Sequence, residues 1–108
     1  MSIRIEHIRA PSQGFLEMLL SNVRPNDRKR LENIKWGAVG LLQAKLIDLY
    51  WASDLAEKAS NVRTALVLGN CPQHVQMLAV LGQQESVQTA LAKIREGARR
   101  RYREDSST

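Results

Sequence analysis

Cys71 is the only cysteine among 108 residues, and it stands in the run Gly69-Asn70-Cys71-Pro72-Gln73-His74 between two apolar runs of strand length. A lone thiol forms no disulfide within its own chain. A single thiolate is also a poor metal site, because zinc and iron–sulfur clusters take about four ligands. Three chemistries stay open. Cys71 can be a small buried hydrophobe, the commonest state of a free cysteine. It can be a nucleophile with His74 three residues on, but a thiolate needs an oriented base and no third orienting group is evident. It can be a metal ligand, if a ring of identical subunits brings one such turn per chain to a shared axis. The neighbouring glycine and proline favour an exposed loop over a core position. No carboxylate pair, phosphate-binding glycine loop or zinc-type Cys/His spacing accompanies it. Little therefore supports an enzyme.

The elements that must hold this turn follow from periodicity. Ser2 to Arg9 reads as a strand, with Ile3 and Ile5 alternating with polar residues and Ile8 out of phase. Ser12 is placed to cap a short helix carrying Phe15, Leu16, Leu19 and Leu20. Arg24-Pro25-Asn26-Asp27 ends that helix, and a polar linker, the least ordered internal stretch, is expected to reach about Asn33. Trp36 to Leu42 reads as a second strand whose glycines, Gly37 and Gly40, mark a bulge or a close backbone approach. Leu46 to Ser60 is a helix that can set Leu46, Leu49, Tyr50, Leu55 and Ala59 on one face, with Asp54, Glu57 and Lys58 away from it. Val62 to Leu68 and Val75 to Leu81 pair as an antiparallel hairpin around the cysteine turn, and Gly82 breaks the second run. Glu85 to about Arg103 is a last helix with Val87, Leu91, Ile94 and Ala98 inside, followed by a frayed tail over residues 105–108. The order β-α-β-α-β-β-α predicts a ferredoxin-like α+β domain over residues 1–104, a four-stranded, mostly antiparallel sheet with helices on one face.

Composition narrows the setting. An apolar fraction of 44% suits one folded domain with a modest core. No run approaches the roughly 18 apolar residues of a membrane span, and the alternating start is unlike a signal peptide. A single cysteine fits a reducing cytoplasm. The formal net charge is +5, much of it from Arg95, Arg99, Arg100, Arg101 and Arg103, with a second cluster at Arg28, Lys29 and Arg30. A small basic nucleic-acid-binding module is the alternative this raises. It lacks a reading helix or aromatic platform, and a solvated helix face with cations near a helix C-terminus explains the arginines as well. Trp36, Tyr50 and Trp51 read as core or interface anchors, and His7, on a strand among charges, as solvent-facing.

Three segments carry a resemblance. Gly40-Leu41-Leu42-Gln43-Ala44-Lys45, Ala52-Ser53-Asp54 and Lys58-Ala59-Ser60-Asn61-Val62 are similar to the signature of bacterial microcompartment (BMC-domain) shell proteins. The likeness continues through the hairpin into Val87 and Ala90-Leu91, roughly residues 37 to 94, and departs at Leu46, where the family has glycine. The opening Ser2 to Pro11 strand and its short helix resemble the unit that ends an ordinary shell domain, so the chain resembles a circularly permuted member, as in ethanolamine- and propanediol-type shells. Its turn resembles that of shell proteins from glycyl-radical-enzyme microcompartments. The resemblance implies a homohexamer associated with other shell proteins, an iron–sulfur cluster, of 4Fe-4S type, in the central pore, and contact with encapsulated enzymes. Carried over, Cys71 is the cluster and metal ligand; Gly69, Asn70, Pro72, Gln73 and His74 line the pore; Lys45 matches the lysine at the hexamer–hexamer edge. A sixfold ring cannot match a cluster of up to four thiolates, so some Cys71 copies would bind and others stay free. A pore that passes small polar metabolites without metal is the second alternative.

Overall fold

The computed structural model describes residues 3–69 and 75–107. The elements are β1 (Arg4–Arg9), α1 (Gln13–Leu20), α2 (Pro25–Leu31), β2 (Ala38–Lys45), α3 (Leu46–Ala59), β3 (Val62–Val67), β4 (Val75–Gly82) and α4 (Gln84–Ser107). The four strands form one sheet in the order β1-β2-β4-β3, and every pairing is antiparallel. The expected α+β class holds, and β3 and β4 form the expected hairpin, in register from Val62 opposite Gly82 to Val67 opposite Met77.

Two expectations are corrected. The stretch read as a loose linker contains α2. Pro25 opens it, where a missing N–H costs nothing. Leu31 is fully buried, and the Trp36 indole donates 3.0 Å to its carbonyl. Asn33 then turns the chain at φ 64, a conformation asparagine tolerates. A seven-residue helix with one apolar side chain has too short a period to be read from sequence.

The helices also lie on both faces of the sheet. Strand residues alternate sides. Leu42, Ala44, Leu78 and Val80 meet α3 and α4, whereas Val39, Ala65, Ala79 and Leu81 meet α1 and α2. In α3 the buried stripe is Leu49, Ala52 and Ala56; Leu46 and Tyr50, expected on the inner face, are exposed. Along α4 the stripe Val87, Leu91, Ile94 and Ala98 is buried as expected. Gly40 permits the close approach of this helix, since a Cβ there would lie 2.8 Å from Leu91 Cδ2. Gly82 is the last residue of β4, as the sequence led one to expect within a residue.

Candidate functional site at the 69–74 turn

The hairpin's open end is held by α1. The Leu68 N–H, just past the end of β3, donates 2.6 Å to the Asn22 carbonyl. Asn22 is itself held, its Nδ2 donating 3.0 Å to the Met18 carbonyl, which also accepts from Ser21 Oγ at 2.7 Å. These bonds satisfy carbonyl groups that a helix C-terminus leaves open. Ser12 caps the other end of α1, accepting the Phe15 N–H at 3.2 Å, as its position in the sequence implied. The base of the loop at Leu68 is therefore bonded to the chain just past a short helix that is fixed at both ends.

Leu68 and Gly69 are exposed at that base. Asn70, Cys71, Pro72, Gln73 and His74 lie outside the described residues. Lys45 is exposed at the end of β2, opposite Val75, so it sits at the same end of the sheet as the turn. It takes the N-cap position of α3 with extended backbone, and exposed Leu46, Ile47 and Tyr50 follow it. Among the described residues, no group of three or more His, Cys, Asp or Glu side chains could hold a metal ion.

The arginines of α4 divide. Arg100 pairs with Glu96 at 3.0 Å. Arg101 lies 4.6 Å over the Trp51 ring and 3.8 Å from Asp48. Arg95 and Arg99 are exposed. Trp36 and Trp51 are partly buried against the two core clusters, as anchors, whereas Tyr50 is open to solvent. A concavity of about 940 Å³ lies over Leu16, Leu20 and Trp36 at the end of the sheet away from the turn. The Asn22–Leu68 clamp was not foreseen; its only signal in the sequence is a polar residue just past a short helix.

Comparison with known proteins agrees with this architecture. No protein-family model matches the chain, and no curated protein does. Among solved structures, the ligand-free GrpU microcompartment shell protein from Pectobacterium wasabiae superposes with a TM-score of 0.71 at 28% identity, over 85% of this chain and 99% of that one. The chain is similar to a microcompartment shell protein. Its four-stranded antiparallel sheet and four helices form a BMC-type fold like that of GrpU, and the likeness points to a structural, non-enzymatic role in a shell. No helix among the described residues is long and apolar enough to cross a membrane.

Proposed function

We propose that this chain is a subunit of a bacterial microcompartment shell, a circularly permuted member that closes into a cyclic homohexamer with the 69–74 turns around a central pore. Similarity to the GrpU shell protein over nearly that protein's whole length is the observation that carries the reading. One heterologous interface repeated about an axis is enough for closure. The permuted order is supported by β1, an edge strand beside β2 that could join the domain from either chain end with little change in packing.

Cys71 would supply the thiolates for an iron–sulfur cluster shared between copies. The chemistry fits, since thiolate is the ordinary ligand of such clusters, but one cysteine per chain suffices only in a ring. When bound, the cluster would offer one-electron transfer across the shell. The chain's own part is to present deprotonated Cys71, to shape the pore with Gly69, Asn70, Pro72, Gln73 and His74, and to hold the turn's base through the Asn22 carbonyl. Because ligands must lose protons to bind, acid should strip the metal. Lys45, exposed beside Leu46 and Ile47, is proposed as a contact between neighbouring hexamers.

Anaerobic purification with iron, sulfide and native mass measured on one sample tests this reading. A brown hexamer with about one cluster per ring is expected from the ligand count. Cys71→Ser should give a colourless hexamer. A colourless wild-type hexamer would remove the cluster and leave the shell role, with the pore passing small polar metabolites. A monomer would overturn the shell reading.

A further inference from the structure

Cations gather where α4 lies against β1, and among the described residues no carboxylate pairs with them. Ile3 and Ile5 face the α3–α4 layer, so His7 and Arg9, at the same parity on β1, lie on that side. His7 stands opposite Gly40, where α4 comes closest to the sheet through Leu91. Arg95, one helical turn beyond Leu91, completes the group. His7 is half-buried, and its Nε2 is sealed from solvent with no hydrogen-bond partner. That leaves Nδ1 as the nitrogen through which the ring can meet a ligand.

Burial, Arg9 and Arg95, in that order, all hold the imidazole below its ordinary proton affinity. Both guanidiniums are exposed, and among the described residues no carboxylate pairs with either. Two acids close by in sequence are committed elsewhere: Glu6 lies on the other face of β1 and pairs with Arg4 at 3.5 Å, and Glu96 pairs with Arg100. The residue of β2 opposite His7 is glycine, so that strand adds no charge at this level.

We propose that His7, Arg9 and Arg95 form an oxyanion site at the surface between β1 and α4 that takes a phosphate group. Two guanidiniums match the charge of a phosphate dianion, and their planar forks suit its oxygens. An imidazole beside them adds a third donor, which becomes charged once an anion offsets the arginines. A carboxylate, with a single charge and two oxygens, would use only part of this set. The site lies on the α3–α4 side of the sheet rather than at the turn and is independent of the cluster proposed above.

The test is titration of the purified full-length assembly with inorganic phosphate at constant ionic strength, followed by calorimetry and by the side-chain NMR signals of His7. Phosphate should bind with a Kd on the order of 1 mM and raise the His7 pKa. Arg95→Gln and Arg9→Gln should each weaken binding by about tenfold, the loss of one charge-assisted hydrogen bond. Arg100→Gln, on the far side of the same helix, should leave it unchanged. An immobile His7 signal, or equal losses in the Arg95 and Arg100 variants, would overturn the proposal. Acetate moving His7 as far as phosphate does would overturn the phosphate assignment.

Discussion

The two helical layers are held to the same sheet by different means. In the α3–α4 layer, Leu49, Ala52, Ala56, Val87 and Ile94 are all 0% exposed, on helices of 14 and 24 residues. In the α1–α2 layer the helices have 8 and 7 residues, and Leu16, Leu19 and Leu20 keep 6–8% of their surface. Helices of two turns do not stand alone in water. The smaller layer is therefore stapled by polar bonds: Ser12 to the Phe15 N–H, the Trp36 indole to the Leu31 carbonyl, and Asn22 to Leu68. One layer is the scaffold, and the other is a bracket that ends on the turn.

The strongest test of this contrast is a pair of cavities. Leu91→Ala removes a side chain that is 1% exposed at the crossing of α4 over Gly40 and should cost toward the top of the range of about 2–5 kcal/mol. Leu20→Ala, on the bracket and 8% exposed, should cost toward the bottom of that range, because its site can collapse or admit water. Urea midpoints at constant m-value measure both. Equal losses would erase the distinction between scaffold and bracket.

A smaller effect sharpens the same contrast within the scaffold. Gly97 faces the Trp51 ring, and a Cβ there would sit 2.7 Å from Cζ2, tighter than side chains tolerate. Gly97→Ala should raise helix propensity yet destabilise by about 1–3 kcal/mol, because a rigid indole must move and carry Arg101 with it. Near-ultraviolet circular dichroism should report the displaced Trp51. A gain in stability would mean that α4 slides on α3 and that their packing is looser than its burial indicates.

What could be read in the sequence follows the same division. The long amphipathic stripe of α4 and the alternating strands announce themselves because many residues repeat one period, and the hairpin around Cys71 follows from two apolar runs and a turn. The Ser12 cap was legible because one residue type carries the signal. The α2 helix was not, since one buried leucine makes no pattern, and its place is set by Trp36 and by the sheet beneath. Nor was the second helical layer, although the nearly continuous apolar runs of β2 and β4 suit strands buried on both faces, because the two helices that cover the second face are too short to show a period. At the candidate site, the strands on either side of Cys71 were legible as a hairpin. The clamp on that turn joins Asn22 to Leu68, and such a distant backbone bond leaves no mark on composition.

The smallest expected effect comes from a residue that looked solvent-facing and is not. His7 lies on β1 with Arg4, Glu6 and Arg9 close by in sequence, so exposure was the natural reading; in the fold it stands opposite Gly40, where α4 comes closest to the sheet. Its pKa in the folded chain lies below 6.5, through burial first and then Arg9 and Arg95. Above 6.5 the ring is neutral folded and unfolded, and it adds no pH dependence. Below 6.5 the unfolded chain takes the proton more readily, so stability is lost as the pH falls from there through the lowered folded value. In phosphate-free buffer, thermal melts between about pH 7 and pH 5 should show this decline, and His7→Gln should remove it. Adding phosphate should shrink it in the wild type by raising the folded pKa, and should do nothing in the variant. An unchanged slope in His7→Gln would return His7 to the solvent-facing role that the sequence suggested.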